Sequence, residues 1–422
     1  MSRWLRRLDI ERLQVAQRRP VTPETLRQAA DIVEDVRDRG ERALRDHGER
    51  YGDLAAGDEI ALDRHRLDGA LASLPPDQRR LLERVAARIR GFADAQRSGL
   101  LDLERGVPGG RVGHRWIPVR SSGGYAPGGR HSLPSSVLMT VIPARVAGVE
   151  TTWVASPKPT QITLAAAALS GADGLLAIGG AQAIAALAFG TLSPACDLIV
   201  GPGNRWVTAA KKHLYGEIGI DGLSGPSEIL VIADDGADAE LVAADLLAQA
   251  EHESDAVPAL IATSQRLIDD VEKAISRQLS DLPTSGTAVE ALRNGFYLVV
   301  GSLADAVAAS DHMAPEHLAL HVEDASDLAA RLRSYGSVFI GSGSAETFAD
   351  YGLGPNHVLP TGGSARFQSG LSVLTFLRSP TWSRLHDPTD VAEDTMLLAR
   401  LEGLEAHARA AQLRLDSRHH EV

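Results

Sequence analysis

A single cysteine, Cys196, stands in 422 residues, so no intrachain disulfide can form, which points to a reducing compartment. The same scarcity excludes a cysteine-rich zinc site and leaves Cys196 as the sole possible thiolate nucleophile. Its setting, SPACDLIVG, is apolar and strand-like, which suits a small buried side chain better than an activated thiol. Positive charge is also short: 43 Lys and Arg against 55 Asp and Glu give a formal net charge of −12, with no basic surplus for nucleic-acid phosphates or anionic lipid. No apolar run approaches the ~20 residues that a membrane-spanning helix needs. The basic opening MSRWLRRLDIERLQ is not followed by the apolar middle of a secretory signal. Together these absences lead us to expect a cytoplasmic protein with neither nucleic acid nor membrane as partner.

What is present reads as an ordinary folded chain, 44% hydrophobic and 23% charged, long enough for two or three domains. The first hundred residues have helical spacing. Thr22 and Pro23 suit an N-cap and a first helical residue, and Pro75–Pro76 precede a second helical pattern. Then the texture changes. TTWVASPKP, GLLAIGGAQAIAALAFG and CDLIVGPGNRWVTAAKK each read as strand, tight turn and helix. After the Gly/Ser/Pro-rich stretch from Gly219 to Ser227 the rhythm resumes in ILVIADDGADAELVAADLLAQAEH, VPALIATSQRLIDDVEKAI, FYLVVGSLADAVAAS and SVFIGSGSAETFADYG. Such alternation builds parallel sheets with helices on their faces. The expected fold is therefore α/β, with two tandem Rossmann-like parallel-sheet domains and helical N-terminal and C-terminal segments. The expected limits are residues 1–100, 101–225, 226–362 and 363–422.

Several residue groups could carry chemistry. In ADAELVAADLLAQAEHES, Gln249 and His252 are three apart and share a helix face. They suit two ligands of one ion, although glutamine is a poor soft-metal ligand, and the pair alone reads first as a helix-end histidine interacting with the negative end of the dipole. Glu316 and His317 in APEHLALHV follow a proline and point apart in extended chain, so they would not bond each other. They could serve two proton transfers, or be a solvated glutamate beside a structural histidine. Asp350 and His357 flank a Gly/Pro-rich loop in ADYGLGPNHVLPTGG, where turn formation alone could account for the glycines. Glu402 and His407 lie on the last helical pattern, for which a solvated face is the default.

The turns GGYAPGG, IGGAQA and VGPGNRW could present backbone N–H groups to phosphates at helix starts. None has the G-x-G-x-x-G fingerprint in a βαβ context, and no H-E-x-x-H motif supports a zinc hydrolase.

In order along the chain, GGYAPGG, LPSSVLMTVIPARVAGV, GGAQAIAALAFGT, IVGPGN, GIDGLSGPSEILVIAD, DLLAQAEH, APEHL and DYGLGPNHVLPT resemble the histidinol dehydrogenase family, whose members use zinc and NAD. The resemblance runs from about residue 30 to about residue 415. It implies oxidation of L-histidinol through L-histidinal to L-histidine, with Gln249, His252, Asp350 and His407 as zinc ligands and Glu316 and His317 as the acid–base pair. It further implies that Tyr125, Gln182 and Asn204 contact NAD, without the usual Rossmann mode. Ser227, Gln249, His252, His317, Asp350, Glu402 and His407 would meet the substrate. A homodimer is implied in which the C-terminal segment completes the partner's site, and no thiol intermediate is needed. The chain departs from the family at Glu253, where glycine is usual, and at Arg130 and His131, where small or apolar residues are commoner. These departures bear on the substrate. A paralogue acting on another small amino alcohol or polyol, or a non-catalytic binding protein on the same scaffold, are the alternatives.

Overall fold

Thr22 starts the first long helix as the Thr-Pro pair predicts: its hydroxyl accepts the Thr25 N–H, and Pro23 is the first residue of helix Pro23–Arg39. The computed structural model describes residues 3–9, 21–128 and 132–416, so Arg130 and His131 lie outside the described residues. The second helical pattern becomes Pro76–Ser98, a helix whose buried face carries Leu82, Ala86, Ile89 and Ala93 at helical spacing.

Beyond Ser121 the predicted alternation is found, and it builds two six-stranded sheets. Across the first, the order is 219–220, 198–200, 121–125, 151–155, 174–176 and 61–63, parallel except for the last strand, which is antiparallel to its neighbour. The second is parallel throughout, in the order 6–7, 296–299, 257–262, 228–233, 317–321 and 337–340. The N-terminal segment, read as helical, thus also lends a strand to each sheet. Its helix Pro23–Arg39 packs on helices Gly180–Phe189 and Arg205–Leu214 of the first.

Central strands of a parallel sheet are covered on both faces, which is why they read as unbroken apolar runs. In Glu228–Ala233, Ile229, Val231 and Ala233 join one core with helices Ala239–His252 and Gln265–Ser280, while Leu230 and Ile232 join the opposite core. In each sheet the chain reverses its direction of travel beside a central strand, between 121–125 and 198–200 in the first and between 228–233 and 317–321 in the second. In open α/β sheets such a reversal leaves a crevice at strand ends.

After residue 363 the chain adds strand Thr381–Leu385 to an antiparallel sheet with Gly110–His114 and Leu103–Val107. It closes with helices Thr389–Leu401 and Glu405–Asp416, which pack chiefly against each other. Their Leu397, Leu398, Leu401, Leu404 and Leu413 are exposed. Among the described residues no helix is long and apolar enough to cross a membrane.

Candidate active site between the two sheets

The second sheet opens its site at the amino end of its strands, opposite to the carboxyl end where ligands of open α/β sheets usually lie. Glu228 and His317 are the first residues of the two strands that flank the reversal. One peptide unit organises both candidate proton carriers: the Glu228 N–H donates to Glu316 Oε2 at 3.0 Å, and the Glu228 carbonyl lies 3.2 Å from His317 Nδ1. A carbonyl only accepts, so Nδ1 carries the hydrogen and Nε2 keeps its lone pair. His317 Nε2 is buried and has no hydrogen-bond partner among the described residues. As extended geometry predicts, Glu316 and His317 do not bond each other, with 3.7 Å between Oε2 and Nδ1. Gly336 lets a neighbouring backbone pass close to this point, since a Cβ there would stand 2.5 Å from the Glu316 carbonyl oxygen.

Burial dominates the electrostatics of the pair. It drives the His317 imidazole down to about 4, against the pull of Asp350, so the ring is neutral at neutral pH. It raises the Glu316 carboxyl well above its ordinary value, the Glu228, Asp350 and Glu253 charges adding to the effect over the opposing Glu228 N–H.

Helix Ala239–His252 runs back to the same edge and delivers Gln249 and His252 on its last turn. Opposite stands the short helix Glu346–Asp350, whose end residues are four apart and share a face. His252 Nε2 lies 3.5 Å from Asp350 Oδ2 and 3.7 Å from Glu346 Oε1. Contact with Asp350 raises the His252 pKa over the opposing effect of burial. Burial pushes Asp350 up, but His252 and the nearby imidazoles outweigh it and leave the carboxyl below its ordinary value. Glu346 is 1% exposed, and burial followed by the Asp350, Glu316 and Asp245 charges raises it well above the ordinary carboxylate range.

Gln249 is wholly buried, and its carboxamide NH2 is assigned to the side of the Glu346 carboxylate, with the nitrogen 3.2 and 3.3 Å from the two oxygens; it also lies 3.2 Å from His317 Nδ1, so the amide hydrogens go to Glu346 and the Nδ1 hydrogen to the Glu228 carbonyl. The opposite setting would press an amide oxygen against carboxylate oxygens. Neither Glu228 nor Glu346 is singled out by sequence reasoning. The available signal for Glu346 is its spacing four residues before Asp350 in ETFAD; for Glu228 there is none, because its backbone does the work.

These donors fit a zinc ion. Ligand atoms bound to one zinc ion at about 2.1 Å stand ~3.0–3.4 Å apart, close to the His252–Asp350 spacing of 3.5 Å. Ligand atoms of His252, Glu346 and Asp350 all lie within 4.8 Å of one another. His407, by contrast, is exposed on helix Glu405–Asp416, and Glu402 is exposed at the end of the preceding helix. Neither is joined to this cluster within the chain.

The remaining candidates frame the crevice. The Ser227 N–H donates to Glu253 Oε1 at 3.1 Å, so the Glu253 charge is tied to the backbone of a candidate substrate residue. His357 spans the two halves: Nδ1 lies 3.1 Å from the Asp350 carbonyl, which accepts its hydrogen, and the Ser136 hydroxyl, 3.3 Å from Nε2, donates to that nitrogen. Burial lowers its pKa, against the opposing pull of Asp350.

Facing this edge, the first sheet presents its carboxyl end. Tyr125 ends strand Ser121–Tyr125, Gln182 lies in the first turn of helix Gly180–Phe189, and Asn204 precedes helix Arg205–Leu214. The Tyr125 hydroxyl accepts the Gly180 N–H at 3.2 Å, and burial pushes the phenol up to about 12. Gln182 is 2% exposed. Asn204 caps helix Arg205–Leu214, Oδ1 accepting the Trp206 and Val207 N–H groups. Gly201, with φ +113°, lets the last of these turns touch the Tyr125 carbonyl, 2.2 Å from where a Cβ would stand. Lys211 and Asp221 hold that turn from beneath: Lys211 Nζ donates to the Gly201 carbonyl and pairs with Asp221, whose Oδ2 accepts the Gly201 N–H at 2.7 Å. The turn after strand 198–200 leads into the N-terminus of helix Arg205–Leu214, a position that suits an anionic group such as a pyrophosphate.

Fold and site together define a two-sheet α/β protein whose imidazole, carboxylate and carboxamide groups converge where the two sheets face each other. The sequence model of the family described as histidinol dehydrogenase matches residues 16–415. Histidinol dehydrogenase of Parasynechococcus marenigrum is 45% identical over 395 residues, covering 91% of this chain and 90% of that one. The Haloarcula marismortui histidinol dehydrogenase is 43% identical over 394 residues, 92% of each. A crystal structure of histidinol dehydrogenase from Elizabethkingia anophelis superposes with a TM-score of 0.92 at 31% identity, covering 99% of both chains. The chain belongs to the histidinol dehydrogenase family.

Proposed function

We propose that this protein oxidises L-histidinol through L-histidinal to L-histidine, using two NAD per product and a bound zinc ion. What carries this conclusion is the Glu228 peptide, which grips Glu316 with its N–H and His317 with its carbonyl beside Gln249, His252 and Asp350. A cytoplasmic location belongs to the same proposal and is supported by the single, buried thiol.

The first oxidation takes a proton from the hydroxyl oxygen and a hydride from the carbinol carbon. His317 is suited to the proton, because its Nδ1 hydrogen is committed to Glu228 and its Nε2 lone pair is unpartnered at neutral pH. Tyr125, Gln182 and Asn204 would hold NAD, which would supply the hydride acceptor for each oxidation. The aldehyde must next add water: Glu316 takes one proton of that water while His317 returns its proton to the carbonyl oxygen, which leaves the imidazole neutral for the second oxidation. Burial raises the Glu316 pKa well above the ordinary value, which makes the carboxylate a stronger base. Loss of the hydrate's hydroxyl proton to His317 and of a second hydride gives the acid, which ionises. The sum is one water consumed, two hydrides transferred and three protons released. Cys196 takes no part.

Zinc, when held by Gln249, His252, Asp350 and His407 of the partner subunit, supplies Lewis acidity and a fixed anchor for substrate nitrogen and oxygen. Ser227 and His317, with Glu402 of the partner subunit, complete the substrate pocket. The homodimer is supported by the exposed leucines of the C-terminal hairpin and by His252, whose side chain is 43% exposed in the single chain.

The test is an assay of purified, metal-loaded protein with L-histidinol and NAD. Two NADH and one histidine per histidinol are expected. Turnover of another amino alcohol or polyol in preference to histidinol would replace the substrate, and absence of NAD binding by the folded, metallated protein would end the dehydrogenase assignment.

A further inference from the structure

Glu346 is the most deeply buried carboxylate of the cluster, yet the proton transfers leave it without a task. An acid in that position is costly unless its oxygens are well used. Its two oxygens stand 3.2 and 3.3 Å from the Gln249 amide nitrogen, and Oε1 is 3.5 Å from His317 Nδ1. A glutamine carboxamide is ambiguous as a ligand, because a half-turn about its last bond exchanges a metal-binding oxygen for an NH2 group that repels a cation. The structure holds no other carboxylate at hydrogen-bond distance from that amide among the described residues.

We propose that Glu346 is a positioning residue: by accepting the Gln249 NH2 it locks the carboxamide with Oε1 turned away from itself, toward the cation site shared with His252 and Asp350. This rests on the metal centre proposed above. Glu346 and Asp350 belong to one helical turn, so the same short element supplies a ligand and orients another. The division of labour also explains how a neutral, weak ligand such as glutamine can be used. Its orientation is set before the metal arrives.

The test uses full-length protein stripped of metal and titrated with Zn2+ against a chelator, and with Co2+ for its visible spectrum. Glu346→Ala should weaken Zn2+ binding by about 10–100-fold. Glu346→Gln, whose Oε1 can still accept one amide hydrogen, should lose less. At saturating Co2+ the Glu346→Ala spectrum should keep its wild-type shape. Because Glu346 acts through Gln249, the losses of Glu346→Ala and Gln249→Ala should combine less than additively in the double variant. Wild-type Zn2+ affinity in Glu346→Ala, strictly additive losses, or a cobalt spectrum reporting a changed ligand number would each overturn the proposal. His252→Ala and Asp350→Ala are measured in parallel. If these too keep wild-type affinity, the metal centre itself fails; if they lose it while Glu346→Ala does not, only the role of Glu346 fails. Should Glu346→Ala not fold, the coupling is measured with Glu346→Gln, where additivity with Gln249→Ala again overturns it.

Discussion

His317 Nδ1 lies 3.2 Å from the carbonyl oxygen of Glu228, and this one contact decides which ring nitrogen is available to a substrate. Since the backbone carbonyl cannot be replaced by mutation, the tautomer is a property of strand register. His317→Asn should lower kcat by about 10²–10⁴-fold in both oxidations, the usual worth of a positioned acid–base group. Glu316→Gln should differ in kind. It should still make the first NADH and then stall, with histidinal accumulating, because only hydration needs that carboxylate. Product analysis by chromatography distinguishes the two, and full histidine formation in Glu316→Gln would remove Glu316 from the water step.

Completion of the site by a partner subunit makes a prediction about mixed dimers. His317→Asn and His407→Ala should each be inactive as homodimers. Unfolded and refolded together in equal amounts, half of the dimers contain one chain of each kind, and each of these has one intact site. Recovered activity should be about a quarter of wild type. No recovery, with mixed dimers demonstrated by native mass spectrometry, would mean that His407 serves its own chain.

Cys196 is buried, and burial followed by the Asp197 charge pushes its thiol up to about 12. At pH 8 the thiolate fraction is then about 10⁻⁴, too small for ready attack. Native protein should resist a thiol-alkylating reagent at pH 8 and keep its NADH production, while urea-unfolded protein should react stoichiometrically. Rapid inactivation of the native enzyme by alkylation at Cys196 would reopen covalent catalysis.

Lys211 and Asp221 form a buried ion pair, with side chains 2% and 7% exposed. Asp221→Asn strands the lysine charge and should destabilise the protein by about 3–5 kcal/mol in urea unfolding. NAD binding should fall with it, measured under conditions where the variant is still folded, because the Gly201 turn loses the carboxylate that accepts its N–H. An unchanged unfolding midpoint would show that the pair is energetically idle.

Much of the framework was legible from local pattern. Unbroken apolar runs marked strands 228–233 and 257–262 because both faces of a parallel sheet are covered. Thr22 and Pro23 marked a helix start, and AQAEH correctly placed Gln249 and His252 on a helix's last turn. Strands 6–7 and 61–63 were not legible, since two or three residues pairing with chain hundreds or more than a hundred positions away carry no periodic signal. Glu346 went unnoticed for a related reason. A lone acid in a polar stretch reads as solvated until the fold buries it.

The amino-acid sequence by itself determined the chemical inventory: one thiol, no charge surplus for nucleic acid, alternating strands and helices, and a carboxamide, imidazoles and carboxylates in turns and at element ends. Those features depend on residue type and near-neighbour spacing. Only the tertiary structure decided that the second sheet offers its amino edge, that Glu228 holds Glu316 and His317 through one peptide, and that Glu346 stands against Gln249. Such relations join residues about 70 to 100 positions apart, and they arise from strand register and sheet-to-sheet packing, which no local pattern records.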